Sequence, residues 1–409
     1  MLPIKRKFKS AVWRLKQAGI NGYGATLKLF VEVLTEKYWL IDYLPTFTKR
    51  REGVLLIKLD LIGDFVLWLD SAQAYRRLYP TEKITLAVNG ACAELAKALP
   101  YWDEVIGVDV DLLRKNVVYR LRTLIKIRWR NFAIAIQPTF SREFVGDLTL
   151  RSTNAPERIG YAGDTNNILV AQKTCTDRWY SKLVINDPAC KMELSINAHF
   201  VRKLGCNDFL SSVPAIPQTI TLKAKLQVAG PYIVIAPGAS WQPKMWPIDL
   251  FADLIRHLNS QCDIRFVLCG GKNDYLVCEQ LARELGFSNL SNLAGQTSLL
   301  DLVEIVRGAA LVVTNDSSPV HIAAATDTPS VCILGGGHYG RFLPYRIESE
   351  VISALPATLT TPMECFGCNW ACSFLKETVI TVPCIANVSP IDVMQRCTAL
   401  LKLRAEVDS

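Results

Sequence analysis

No uninterrupted apolar run in the 409-residue sequence reaches the roughly 18–20 residues that a membrane-spanning helix needs, so no such helix is expected. The N-terminal MLPIKRKFKSAVWRLKQAGI is basic but lacks an apolar h-region and a small-residue cleavage site, and it does not read as a secretory signal. No short internal repeat and no low-complexity segment is present, which sets repeat architectures aside. Histidine is scarce, with four residues, and the Ser and His residues form no recognisable nucleophile triad. Cysteine is plentiful, but its count of thirteen is odd. Cys92, Cys206, Cys262, Cys269 and Cys332 sit in apolar or helical surroundings, which reads as reduced thiols in a cytosolic protein.

Half of the residues are hydrophobic and about a fifth are charged, a globular composition, and the length implies two domains. The charge is unevenly placed. Residues 1–51 hold eleven Lys/Arg against three acids, an excess equal to the formal +8 of the whole chain, so the remainder balances. Trp13, Phe30, Tyr38, Trp39 and Tyr43 are interleaved with that charge. Such a helical extension suits an anionic membrane surface, and it suits equally a solvated helical pair packed on the body of the protein.

From residue 53 short apolar runs alternate with helical stretches. VLLIKL (54–59), KITLAV (83–88), EVIGVD (104–109) and FAIAIQ (132–137) read as strands, and RKNVVYRLRTLIKIRWR (114–130) as one basic helical stretch. After a Pro-containing polar segment at 211–231 the pattern restarts with YIVIAPG, DIRFVLCGG, NLSNLAG, ALVVTND and, as the last strand, PSVCILGG, each of the first four followed by a helix. This is the pattern of two mostly parallel, doubly wound α/β halves, in which ligands bind beyond the carboxyl ends of strands.

Three strand ends carry polar chemistry. KLDLIGD ends in Gly63, which permits close backbone approach, and Asp64, which is either a helix N-cap or a carboxylate aimed at a ligand. PGASWQPKMWP (237–247) brings Ser240 and Lys244 into a frame of Trp and Pro, the hydroxyl and ammonium that a pyrophosphate requires. TNDSSPVHIAAA (314–325) starts a helix at Asp316, Ser317, Ser318 and Pro319 with His321 one turn on, an anion site by construction. A plain cap at Ser317 and a satisfied core histidine at His321 are the plainer readings of those two residues.

With NLAGQTSL (292–299), these stretches stand in the order found in the family-9 glycosyltransferases, the ADP-heptose:lipopolysaccharide heptosyltransferases and their relatives. The sequence resembles that family over about residues 53–397. The resemblance implies a GT-B fold: two Rossmann-like doubly wound domains facing a central cleft, acceptor on the first and nucleotide sugar on the second, with a final helix crossing back. With the basic extension, the expected division is 1–51, 52–220 (acceptor domain), 221–388 (nucleotide-sugar domain) and 389–409 (crossing helix). Residue by residue it implies Asp64 as catalytic base, Ser240 and Lys244 as diphosphate ligands, and Asp316, Ser317 and His321 as the donor-binding turn that Ser318 completes. The chain departs from the family pattern at Leu67, where a His is frequent, and at Ser318, where the family has Gly. It departs again at Asn273, which stands where an acid contacts the donor ribose, with Asp274 beside it.

Other signals point elsewhere and are weaker. GGGHYG (335–340) fits a dinucleotide spacing, but Pro344 interrupts any following helix and no second strand ends in a ribose-binding acid. Asp109-Val110-Asp111 resembles a metal-binding D-x-D but reads as a strand end. Cys365, Cys368, Cys372 and Cys384 are close enough in sequence for tetrahedral zinc, although a reduced structural cluster or a partial disulfide staple is the preferred reading. The expected function is inverting, metal-independent transfer of a sugar, first choice heptose from ADP-heptose, onto a lipopolysaccharide core or related surface glycan. No cofactor and no nucleic acid is implied, and the location is cytoplasmic, peripheral on the inner membrane. A family-9 enzyme with another nucleotide sugar, or a donor-binding protein without turnover, are the other readings.

Overall fold

A computed structural model describes residues 51–218, 226–350, 355–375 and 380–408. The basic extension expected at 1–51 lies outside the described residues except for Arg51, whose guanidinium donates to the Asn154 carbonyl at 2.7 Å. The strands are β1 (Val54–Lys58), β2 (Ile84–Asn89), β3 (Glu104–Val108), β4 (Ile134–Gln137), β5 (Glu157–Tyr161), β6 (Lys182–Val184), β7 (Tyr232–Ala236), β8 (Arg265–Leu268), β9 (Leu290–Asn292), β10 (Leu311–Asn315), β11 (Ser330–Ile333) and β12 (Ala357–Leu359). The helices are α1 (Ile62–Leu78), α2 (Ala93–Lys97), α3 (Val110–Lys115), α4 (Val117–Arg128), α5 (Phe144–Ser152), α6 (Val170–Thr176), α7 (Glu193–Leu204), α8 (Ile248–Gln261), α9 (Tyr275–Leu285), α10 (Leu299–Arg307), α11 (Ser318–Ala325), α12 (Pro383–Ala386) and α13 (Pro390–Asp408). No helix among the described residues is long and apolar enough to cross a membrane.

Two six-stranded parallel sheets result, ordered β3-β2-β1-β4-β5-β6 and β12-β11-β10-β7-β8-β9. Renumbered from its own first strand, each has the order 3-2-1-4-5-6 of a doubly wound nucleotide-binding sheet. The chain order therefore reverses between β1 and β4 in one sheet and between β7 and β10 in the other, and loops part at those points to leave a crevice. Central strands β1, β7 and β10 are buried along their whole length, as a sheet covered on both faces requires.

The described chain forms two compact units. The first takes 51–59, Glu82–Gly90 and Ile106–Val184, with a core that includes Leu55, Ile57, Ala135 and Leu150. Inside it Arg142 is fully buried among Asp147, Asp177 and Tyr180, and the Tyr180 hydroxyl lies within hydrogen-bond distance of Asp147 (2.6 Å) and Gln137 (2.7 Å). The second takes Asp60–Thr81, Ala91–Val105 and the described residues from Ile185 on, so α1 and α2 belong to it. In this unit α1 packs on α7 and α11, burying Leu67 with Val320 and Ala324, while α13 packs on α8 and on β10 to β12.

Several expectations change. The basic stretch at 114–130 is two helices, because Asn116 leaves helical geometry to close α3 and to accept the Tyr119 N–H at the start of α4. Asp109 caps α3 by accepting from Leu112 N–H at 2.8 Å, which explains the D-x-D spacing. Strands β5, β6 and β12 were not expected, and β12 displaces β11 as the last strand. β6 and β12 have three residues each, and β5, ERIGY, has polar residues where a buried strand would show an apolar run. Cys262, expected in apolar or helical surroundings, is the C-cap residue of α8 and is exposed there.

Candidate active site

The switch point of the second sheet gathers most of the polar strand ends. β10 closes on Asn315, a buried side chain that the sequence reading passed over. Its Nδ2 donates to the Pro237 carbonyl at 2.6 Å and its Oδ1 accepts the Trp246 N–H at 3.0 Å. One amide thus ties the loop after β7 to the end of β10. Trp246 is itself fixed, edge-on to Phe251 and donating its indole N–H to Val388. Lys244 ends a single 3-10 turn (Gln242–Lys244) in this loop. Burial pulls its pKa down, and the nearby carboxylates of Asp316 and Asp64 oppose that.

Ser317 is the cap residue of α11, but its hydroxyl turns back to Thr314 (3.2 Å) and makes no cap hydrogen bond. Pro319 has no N–H, the Val320 N–H bonds to Ser317, and the Asp316 N–H is taken by Ile333. The amides of Ser317 and Ser318 meet no acceptor among the described residues and leave the helix start open to an anion. The half-buried Asp316 carboxyl is pushed up by burial and drawn back by Lys244.

His321 is buried, with Nδ1 2.7 Å from the Tyr345 hydroxyl and the two rings stacked at 5.9 Å. Burial lowers its pKa to about 4, so the imidazole is neutral. The core-histidine reading describes that edge of the ring. The other edge faces α1: a Cβ on Gly63 would stand 3.2 Å from Cδ2 of His321, a tight contact that glycine avoids. Asp64, next in sequence, is the third residue of α1. It is not the N-cap; that position is Leu61, which has no capping side chain. A carboxylate in the first turn is stabilised by the helix dipole without closing the helix end. Leu67, where a His was looked for, faces the apolar contact with α11.

Asp64, Lys244, Asp316, His321, Ser317 and Ser318 are therefore brought together. Ser240 lies in the same loop but is exposed. Asn273 is exposed as well, on the 3-10 turn Lys272–Asp274. Its neighbour Asp274 carries the informative contact: a methyl group on Gly238 would overlap the Asp274 carboxylate, which also accepts the Gly271 N–H at 2.8 Å. Among the described residues no group of three or more His, Cys, Asp or Glu is arranged to hold a metal, and no disulfide is formed. Cys384 is nonetheless within electrostatic reach of Cys365, Cys372 and Cys368.

Residues 148–366 match the profile of glycosyltransferase family 9 (heptosyltransferase), more than half of the chain. The chain belongs to glycosyltransferase family 9. It is 33% identical over 305 residues to lipopolysaccharide heptosyltransferase 2 of Escherichia coli, covering 69% of this chain and 82% of that protein. Against lipooligosaccharide heptosyltransferase 2 of Haemophilus influenzae the identity is 25% over 293 residues, covering 69% and 83%. The solved E. coli ADP-heptose LPS heptosyltransferase II superposes with a TM-score of 0.65 at 20% identity, over 86% of this chain and 99% of that one. The two parallel sheets are thus those of a GT-B family-9 enzyme, a glycosyltransferase.

Proposed function

We propose that this family-9 enzyme transfers heptose from ADP-heptose to a lipopolysaccharide-core acceptor, with inversion and without a metal. The names of its relatives support the donor and acceptor class. The observation that carries the chemistry is the grouping of Asp64 and Lys244 at the open start of α11.

In this reading the donor diphosphate takes up the amides of Ser317 and Ser318 and the Lys244 ammonium. Both stabilise the charge that grows on the leaving nucleoside diphosphate as the glycosidic bond breaks. That leaving group is a stable anion and needs no proton, so one carboxylate is enough. Asp64 accepts the proton of the acceptor hydroxyl as it attacks the anomeric carbon from the opposite face, and the configuration inverts. Neutral His321 adds no charge; it braces Gly63 and so sets Asp64 relative to the phosphate turn. Ser240 is an exposed hydroxyl at the loop's edge, available to the same diphosphate. The acid that meets the ribose is Asp274, in place of Asn273, because its carboxylate lies against the Gly238 backbone. A lipid-anchored acceptor places the reaction at the cytoplasmic face of the inner membrane, where the surplus positive charge of residues 1–51 suits anionic lipid.

Asp64→Asn is the test. With ADP-heptose and a lipopolysaccharide-core acceptor, the variant should bind ADP as wild type does while ADP release slows about 10²- to 10⁴-fold. Near wild-type turnover would put the base elsewhere. Wild-type protein that binds donor yet releases no ADP with acceptor would make this a binding protein.

A further inference from the structure

Gly335–Gly337 follow β11 at a spacing that suits a dinucleotide, and a different cause for three successive glycines is visible. A Cβ on Gly335 would meet the Trp370 ring at 2.7 Å, one on Gly336 would overlap Phe366, and one on Gly337 would overlap the Trp370 indole. The segment 366–370 lies directly on this backbone: Gly367 N–H donates to Gly336 O at 2.8 Å and Asn369 N–H to Gly337 O at 3.0 Å. Asn369 and Trp370 have φ of 50° and 62°. A bulky side chain holds the left-handed region only where its surroundings over-determine it, and such residues concentrate at ligand sites.

The strained backbone aims the indole at the loop after β7. The Lys244 ammonium lies over the Trp370 ring, 4.1 Å from its centroid, and Trp241 meets the same ring edge-on. The indole N–H donates to His338 Nδ1 at 3.2 Å, and His338 Nε2 in turn donates to Asn369 Oδ1 at 2.5 Å, so both imidazole nitrogens are used in one tautomer. The neighbouring segment clasps the lysine loop on either side, Val382 N–H to Pro243 O and the Thr381 hydroxyl to Met245 O, both at 3.0 Å.

We propose that Trp370 is a positioning residue for Lys244, holding its ammonium out for the donor diphosphate. The proposal rests on the assignment of Lys244 to that diphosphate. A lysine head is a point charge on a flexible stem. Here two carboxylates, Asp316 and Asp64, compete for it. An aromatic face attracts the cation without neutralising it, so the charge stays in place for an incoming anion. His338 and the glycines serve this arrangement by fixing the ring.

The test is a cycle of variants with ADP as probe, read by calorimetry. Trp370→Leu should weaken ADP binding roughly 3- to 30-fold, the range of a partly desolvated cation–π contact, and Trp370→Phe, which keeps a ring face, by less. In a Lys244→Met background, Trp370→Leu should change ADP affinity by less than about twofold, because the two residues act through one contact. If Lys244→Met leaves ADP affinity unchanged, the assignment of Lys244 falls and takes the proposal with it. If Lys244→Met weakens binding but Trp370→Leu does not, or the two losses multiply in the double variant, the proposal alone is overturned. Trp370→Phe runs the same cycle if the Leu chain does not fold.

Discussion

The neutral state of His321 can be read directly. Its imidazole is 4% exposed, bonded to a buried tyrosine, and held at about 4 against an ordinary value of 6.5. A histidine whose folded pKa is depressed leaves the native state with fewer protons than the unfolded chain. Stability is then complete above about pH 6.5 and is lost as pH falls towards 4. At pH 5 the unfolded chain gains about 1.5 pH units of protonation free energy that the native state forgoes, which is about 2 kcal/mol. His321→Asn keeps a partner for Tyr345 and does not titrate. Its cavity makes it less stable at every pH, but the gap to wild type should narrow by about 2 kcal/mol between pH 7.5 and pH 5 in urea unfolding. Nuclear magnetic resonance gives the direct measurement, since the chain has only four histidines. The imidazole signal missing from the variant should stay untitrated down to pH 5. A signal that titrates near 6.5, or a gap that does not move, would refute the buried neutral ring and its role beside Gly63.

Asp70, buried on α1 and accepting the Ser212 N–H at 2.9 Å, is raised to about 7 by burial, with Glu348 adding to the effect. A carboxyl raised in the native state has the opposite sign to His321, its contribution fading as pH climbs from about 4 to 7. The stability of Asp70→Asn relative to wild type should therefore rise by about 3 kcal/mol between pH 5 and pH 8, and a flat difference in urea unfolding would contradict the raised value. Asn315→Ala leaves the Trp246 N–H and the Pro237 carbonyl without their buried partner, at a cost of about 2–4 kcal/mol. If these loops hold the donor diphosphate as proposed, ADP binding should weaken with it, because the two loops lose their tie. Unchanged melting and ADP affinity would show that other contacts hold them.

The central strands were legible because a parallel strand covered on both faces must be apolar throughout, as VLLIK, YIVIA and LVVTN are. The polar turns at their ends were legible too: a close approach favours a small residue such as Gly63, and open amides at a helix start need a turn such as Asp316–Pro319. Edge strands β6 and β12 are too short to leave a pattern, and the break at Asn116 is hidden inside a continuous basic run. Which side chains meet was decided by the crossovers alone. They set Asp274 rather than Asn273 against Gly238, turned Leu67 into the contact with α11, and gave Asn315 two loops to join. They also laid Trp370, from a distant segment, over Lys244 and on the glycines below it. Local sequence records what a residue buries against its own element, whereas a site assembled from several strand ends exists only once the sheet has brought those ends side by side.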